Sequence, residues 1–412
     1  MEARLQALRR TPLSLPLPWL GAAAVALALV LLLLATRAGL DVAAYWAIGL
    51  AFGVILQRSR LCFAGAFRDL VLSNDGRLMR AIIAGLVVAT LGFSLLMARF
   101  VPDPSFGSLP PGAHVLPVGF STIVGGVLFG IGMVLAGGCI SGTLWRMGEG
   151  YLNSWVAMLG ILVGLSAAAH TWGWWWQNDI QYRSAVWLPA RLGHGGAVAL
   201  VVAALAGSYL AILWWETRSP RLASAPPRKV TPPALGVRAQ LRQGWNAVFG
   251  GNGWPYLVGG VALAVLNLFS YAFQHPLGVT GELSTWANRG TGLFGASVGP
   301  LIGTDRFSGC NLVAGGSWLT ASTTLDAGLV FGAFTAAVLA REFKLRWSRR
   351  KSRYPQLLVG GSLMGYGAGL ALGCTIGAFF SSVPSLALSG WVFAMGLLGG
   401  AFVGVQIIRR LA

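Results

Sequence analysis

Apolar stretches of about 20 residues recur along this chain and restrict its possible folds more than any other feature. Residues 19–35, with the sequence WLGAAAVALALVLLLLA, and residues 385–408 are long enough to cross the hydrocarbon core of a membrane as α-helices. Hydrophobic residues make up 55% of the chain and charged residues only 10%, which is typical of a protein embedded in lipid. The sequence therefore predicts an all-α, polytopic membrane protein.

The apolar pattern predicts about ten transmembrane helices, with both chain termini on the same side of the membrane. They lie near residues 19–36, 43–57, 79–99, 118–137, 153–175, 195–215, 254–273, 322–340, 355–372 and 385–408. If the termini are cytoplasmic, 24 of the 30 Lys and Arg residues fall in inner segments and six in outer segments. This asymmetry follows the positive-inside rule, so the net charge of +18 indicates topology rather than nucleic-acid binding.

The chain divides into four predicted parts. Residues 1–42 hold an N-terminal anchor helix, because the apolar run is long and no small-residue cleavage site follows it. Residues 43–215 form a first transmembrane half, and residues 254–412 form a second. Between them, residues 216–253 are rich in proline and basic residues, which favours a cytoplasmic linker.

The two halves contain a repeated motif. GGVLFGIGMVLAGGCISG at 125–142 aligns without gaps with GGSLMGYGAGLALGCTIG at 360–377, and Cys139 falls on Cys374. In the predicted topology the span before Cys139 runs inward and the span before Cys374 runs outward. We therefore expect two inverted, pseudo-symmetric halves, an arrangement that places a substrate site near the membrane midplane.

Two further segments are too short to cross the membrane and too apolar to be ordinary loops. They are QRSRLCFAGAFRDL at 57–70 and QHPLGVTGELSTWANRG at 274–290. We interpret both as re-entrant half-helices, one entering from each side. Non-helical backbone at membrane depth survives only beside protein or a water-filled cavity, so four converging breaks indicate a path through the protein.

Three of the four cysteines lie in these glycine-rich breaks: Cys62, Cys139 and Cys374. Cys310 lies in a stretch of the second half that has no counterpart in the first. Small apolar cysteines also serve simple packing, so burial alone is the competing explanation. The spacing of the cysteines favours neither a disulfide nor a metal site. The sequence shows no cofactor motif, and its scattered histidines indicate no catalytic Ser/His/Asp set.

Ionisable residues near the breaks are candidates for function, because charge within a membrane is costly. Arg60 and Arg68 flank Cys62, and Glu282 lies on the outer half-helix. The pairs Arg68–Asp69 and Arg146–Glu149 could also be simple ion pairs.

Gly138 and Gly373 directly precede two of the break cysteines and complete the candidate path residues. A thiol is a weak donor with a polarizable sulfur, and helix N-termini present N–H groups with partial positive charge. A small, soft anion that shares its charge between oxygen and sulfur suits both groups.

The motifs RSRLCFAGAFRDL, GMVLAGGCISGTLWRMGEG, LGVTGELSTW and ALGCTIGAFFSSVPSLALSGW resemble the signatures of the YeeE/YedE sulfur-transport family, over about residues 43–408. The resemblance implies a bacterial inner-membrane importer of thiosulfate or a related anion, and not an enzyme. It implies that Cys62, Cys139 and Cys374 pass the anion inward through transient S–H···S contacts. Cys310 has no match within the motifs.

The resemblance leaves the substrate and the partner open. The FRDL and GEG segments look closer to the longer YedE-like branch, which is linked to selenium metabolism, so a selenium compound is an alternative substrate. A small cytoplasmic sulfur-carrier protein is a further expected partner. A membrane-embedded thiol sulfurtransferase, which would carry sulfur as a persulfide, is the competing function.

Overall fold

The computed structural model describes residues 18–217, 253–304, 320–348 and 350–411, and also the single positions 248, 250 and 307. Almost all of the predicted linker at 216–253 lies outside the described residues. Cys310 lies outside them as well.

The described part of the chain contains thirteen α-helices, one π-helix and two short 3₁₀-helices, Pro104–Phe106 and Ile180–Tyr182, joined by loops. The first seven helices are α1 (Pro18–Ala38), α2 (Leu40–Ser59), α3 (Phe63–Leu72), α4 (Arg77–Phe100), α5 (Phe120–Ala136), α6 (Ile140–Glu149) and α7 (Leu152–Asn178). The others are α8 (Pro189–Thr217), α9 (Tyr256–Phe273), α10 (Thr280–Gly292), α11 (Ala321–Leu339), α12 (Arg353–Leu370), the π-helix Thr375–Ser381 and α13 (Leu388–Leu411).

The predicted all-α membrane fold is confirmed. Within the described residues, nine helical segments are long and apolar enough to cross a membrane, and α12 together with the π-helix makes a tenth. This last pair bends by 47° at its break. The predicted half-helices at 57–70 and 274–290 correspond to α3 and α10, each of which follows a longer helix after a short non-helical segment.

Glycines bring the long helices into backbone contact. At several helix crossings, a Cβ atom added to the glycine would collide with the backbone of the neighbouring helix, as at Gly53, Gly85, Gly130, Gly132 and Gly164. Lipid supplies no hydrophobic drive for helices to associate, so close van der Waals contact across small residues is what holds them together.

The packing of the helices is pseudo-symmetric. Helices α2 to α7 of the first half correspond in order to α9, α10, α11, α12, the π-helix and α13 of the second half. Under this correspondence, the contact between α2 and α11 is equivalent to the contact between α9 and α4. Likewise, α7 against α12 becomes α13 against α5, and α3 against α13 becomes α10 against α7. Helix α8 packs against α4 as α1 packs against α11, so α8 is the counterpart of α1. The inverted orientation of the two halves in the membrane stays a prediction.

We expect Gly53→Ala to destabilise the protein, because the new methyl group would overlap the carbonyl oxygen of Leu329 on α11. Overpacking of this kind costs about 1–3 kcal/mol, which should appear as a lower melting temperature in detergent. The matched control is Gly207→Ala on α8, where an added Cβ meets nothing within 4 Å. Equal melting temperatures of the two variants would contradict the proposed packing.

Candidate anion-binding site

Each of the three described cysteines occupies the residue immediately before a short helix. Cys62 is the N-cap of α3, Cys139 is the N-cap of α6, and Cys374 is the N-cap of the π-helix. All three have extended backbone angles, which turn the chain out of the preceding break and into the helix. All three are buried and in the reduced state. The thiols therefore lie where unpaired backbone N–H groups of the helix start are concentrated.

Cys62 and Cys139 meet at one place, although they are far apart in the sequence. Their thiols are close enough to interact with each other. The N–H of Gly142 donates to the Cys139 sulfur over 3.3 Å. A Cβ added at Gly142 would lie 3.2 Å from the Cys139 sulfur and 3.3 Å from the Cys62 sulfur. Gly142 thus leaves the space in which the two thiols come together.

Arg146 completes this cluster with a positive charge. From the last turn of α6 its guanidinium reaches back to the break, donates to the Gly137 carbonyl oxygen, and approaches the Cys62 sulfur to 3.7 Å. A Cβ at Gly138 would lie 3.0 Å from the same guanidinium, so this predicted glycine provides the room that Arg146 occupies. No carboxylate within the described residues lies within salt-bridge distance of Arg146.

The electrostatics of the cluster favour an anion. The N-termini of α3 and α6, each helix ten residues long, meet where their capping cysteines touch. Aligned peptide dipoles give each N-terminus a partial positive charge, and Arg146 adds a full one. The thiols can donate weak hydrogen bonds, so the cluster combines positive potential with polarizable sulfur.

The break before Cys374 has a histidine beside it instead of an arginine. A Cβ at Gly373 would lie 3.2 Å from Nε2 of His114, so the histidine ring lies beside the Gly373–Cys374 break. Among the described residues, His114 Nε2 and the buried hydroxyl of Thr375 have no hydrogen-bond partner. Burial, with a further effect from His275, lowers the pKa of His114 to about 3, so the imidazole is neutral at physiological pH. Two unpartnered polar groups therefore lie beside the third cysteine.

Aromatic contacts join the two environments. Phe63, which directly follows Cys62, packs edge-on against Phe379 and Phe380 of the π-helix. Phe67, one turn later on α3, makes a similar contact with Phe379. The π-helix also packs against α6. The three short helices that the cysteines cap therefore form one contiguous group.

The break before α10 is held by polar side chains instead of a cysteine. The side-chain amide of Asn267 on α9 accepts from the Leu277 N–H over 2.8 Å and donates to the carbonyl oxygen of Phe380 over 3.3 Å. Ser381 donates to the carbonyl oxygen of Leu277 over 2.9 Å. Asn267 thus supplies hydrogen-bond partners to the backbone before α10 and to the backbone of the π-helix. Backbone groups at a helix break within a membrane need such partners, because lipid offers none.

The predicted residues Arg60, Arg68 and Glu282 are bonded away from the thiols. Arg60 has a left-handed backbone at the end of α2 and pairs with Glu342 over 3.3 Å, with about half of its side chain exposed. Arg68 pairs with Asp69 over 2.8 Å, which confirms that expected ion pair. Glu282 is buried on the first turn of α10 and accepts from the Thr320 hydroxyl over 3.0 Å. Their role on a path stays a prediction.

The alternative pairing of Arg146 with Glu149 is wrong. Glu149 is buried and pairs instead with Arg346 over 3.1 Å, in the segment that follows α11. The reason is geometric: the guanidinium of Arg146 turns back along α6 toward the break, whereas Glu149 faces the chain beyond α11.

Sequence reasoning missed three groups that the structure makes conspicuous. His114 is a single loop histidine, and nothing in its sequence context marks it. Thr375 follows Cys374 directly, but a threonine at a break is unremarkable. Asp326 is a carboxylate inside the span predicted at 322–340, and its position within an apolar run was a signal that it could be functional.

The described fold and site belong to the class of multi-pass membrane transporters, in which broken helices meet inside a bundle. A family model described as "Sulphur transport" matches residues 58–403. The chain belongs to this sulphur-transport family, whose members are transporters and not enzymes.

The curated relatives agree with the family. The chain is 32% identical to a protein named "Thiosulfate transporter TsuA" from Spirochaeta thermophila, over 88% of this chain and 98% of that protein. It is 28% identical to the Escherichia coli protein of the same name, over 87% of this chain and 92% of that protein. A Salmonella typhimurium protein named "Probable transporter YedE" is 31% identical over 44% of this chain and 43% of its own length.

The contact between Cys62 and Cys139 is directly testable. We expect a trivalent arsenical, which bridges two adjacent thiols, to protect Cys62 and Cys139 together from alkylation in the full-length protein, while Cys374 stays unbridged. Peptide mass spectrometry after alkylation measures the protection. In the control variant Cys62→Ser, Cys139 should lose its protection. Joint protection of Cys139 and Cys374 would contradict the arrangement.

Proposed function

We propose that this protein imports a small sulfur-containing anion, most simply thiosulfate, along a path that Cys374, Cys139 and Cys62 line. The observation that carries the proposal is the meeting of Cys62 and Cys139 at two helix N-termini beside Arg146. The proposed substrate agrees with the printed name of the relatives that match over nearly their full length.

The chemistry of the cluster suits thiosulfate in particular. Its terminal sulfur is soft and can accept an S–H hydrogen bond from a cysteine thiol, while its oxygens suit backbone N–H groups and a guanidinium. All of these contacts are non-covalent, so the anion can leave as readily as it binds. A conducting path needs such weak, sequential sites rather than one tight site.

The proposed path has two stations. The outer one consists of Cys374, with Thr375 and His114 as neutral donors. The inner one consists of Cys139 and Cys62, with Arg146 as the cation. With both termini in the cytoplasm of a bacterium and the chain in its inner membrane, this order brings the anion from neutral donors to the positive cluster. A small sulfur-carrier protein that collects the anion at the inner face is the partner we propose.

Two alternatives have distinct signatures. A membrane-embedded sulfurtransferase would leave a substrate-dependent gain of one sulfur atom on Cys62, formed as fast as sulfur is delivered, and mass spectrometry would detect it. A transporter of selenium compounds would bind these in preference to thiosulfate in a competition series in reconstituted vesicles. The near-complete coverage of the TsuA relatives, compared with partial coverage of YedE, favours thiosulfate.

We expect Cys139→Ala to reduce the uptake of labelled thiosulfate to background, because it removes a thiol from the centre of the inner station. Uptake by cells or vesicles, normalised to the amount of folded protein, is the measurement. Cys310→Ala is the matched control and should retain most of the uptake, since Cys310 is not assigned to either station. Uptake of thiosulfate by Cys139→Ala at the wild-type rate would refute the thiol path.

His114→Ala should raise the KM for thiosulfate roughly tenfold or more, which is the loss of one hydrogen bond to a charged group. His114→Gln should retain most of the affinity, because its amide N–H reaches about as far as Nε2. Since the pKa of about 3 keeps His114 neutral, the effect should be the same throughout about pH 5–8. An effect that appears only at acidic pH would show that a charged His114 is involved.

A further inference from the structure

Two buried carboxylates lie on the packed helices α10 and α11, near enough for the charge of Glu282 to act on Asp326. Glu282 is 5% exposed and Asp326 is 1% exposed. One oxygen of Glu282 accepts from the Thr320 hydroxyl, over 3.0 Å. The other oxygen of Glu282 and both oxygens of Asp326 have no hydrogen-bond partner among the described residues. Three carboxylate oxygens on helices predicted to lie in the membrane therefore lack a partner among the described residues.

Asp326 also lines a cavity of about 570 Å³ between α6, α7, α10 and α11. Its carboxylate is the sole ionisable group among the residues that line this cavity, and the others are apolar side chains and glycines. Leu283, the residue after Glu282, and Trp286 line the same cavity. The unpartnered carboxylate thus lies buried in the wall of this cavity, on a helix that packs against α10.

Among the described charged groups, Glu282 is the one whose negative charge interacts electrostatically with the Asp326 carboxylate. The helices packed against α11 carry further ionisable residues, namely Arg37, Asp41, Tyr45, Arg58, Arg146, Glu149 and Arg289. Arg58 is paired with Glu342 and Glu149 with Arg346, both beyond the opposite end of α11. On the helices that pack against α10, His170 bonds to the Ser166 and Ala296 carbonyl oxygens and Tyr366 to Trp175. Within the described residues, neither acid forms an ion pair with any of the cations whose partners are given above.

Physical chemistry limits what such a pair can be. A buried carboxylate without a cation or donors is strongly destabilised when ionised, so it takes up a proton instead. Two carboxylates that interact share protons as a unit. A proton needs a single oxygen, whereas a hard metal cation needs about six, and no group of three His, Cys, Asp or Glu side chains is available within the described residues.

We propose that Glu282 and Asp326 form a proton-binding site that couples anion entry to proton entry. The proposal rests on the proposed function, because a divalent anion entering a negative interior moves against the membrane potential, so cations must accompany it for accumulation. The pair takes a proton from the outer side and releases it inside, with no redox step. A protonated pair also removes negative charge that would repel the anion.

Purified full-length protein in vesicles tests the proposal in two assays. Counterflow of labelled against unlabelled thiosulfate at equal pH measures the carrier without net proton movement. Net uptake under an imposed gradient, acidic outside and with the potential clamped, measures coupling. We expect the gradient to increase wild-type net uptake several-fold. Asp326→Asn, which mimics the protonated acid, should retain counterflow and lose the increase.

Asp103→Asn, an exposed acid in the loop after α4, is the control and should behave as wild type in both assays. A pH-sensitive dye in wild-type vesicles should report proton entry that depends on thiosulfate, which keeps the proposal testable if a variant fails to fold. The proton-binding site is refuted if net thiosulfate uptake is the same with and without the proton gradient, or if a sodium gradient at equal pH increases it. Absence of counterflow in the wild type overturns the proposed function itself.

Discussion

Backbone hydrogen bonding in lipid is the constraint on which this structure depends. Each helix break leaves N–H and C=O groups that hydrocarbon cannot satisfy, so a break is stable only where protein provides partners. The chain meets this demand in two ways. Before α3 and α6, the breaks meet each other and Arg146 binds a free carbonyl oxygen. Before α10, the amide of Asn267 supplies both a donor and an acceptor.

The pseudo-symmetric packing explains how several breaks can converge without loosening the bundle. The long helices contact one another through glycines, whose missing side chains allow backbone-to-backbone contact around the broken segments. Because α8 packs against α4 as α1 packs against α11, each group of broken helices has one additional helix at its outside. The mostly exposed α1 and α8 therefore cover equivalent surfaces, although α1 precedes the first group of broken helices and α8 follows it.

The positions of the helices and their breaks were predictable from the sequence, but contacts between residues far apart in the sequence were not. Apolar length and glycine-rich motifs located the helices to within a few residues and placed Cys62, Cys139 and Cys374 at breaks. The gapless repeat linked Cys139 to Cys374 by equivalence, yet among the three described cysteines it is Cys62 whose thiol interacts with that of Cys139. That contact depends on how α3 and α6 approach each other, which no local pattern encodes. His114 reached the Cys374 break from a loop for the same reason.

The two halves are equivalent in packing but unequal in chemistry, so the two stations of the proposed path differ in their attraction for an anion. The repeat places a capping cysteine at each end of the α5–α12 pair. Arg146 lies at the Cys139 end, where it approaches the Cys62 sulfur, and the neutral His114 lies beside the break that ends at Cys374. Arg146 also donates to the Gly137 carbonyl oxygen, so part of its hydrogen-bonding capacity is already used. The proposed inner station therefore attracts an anion more strongly than the outer one without holding it permanently, as passage between successive sites requires.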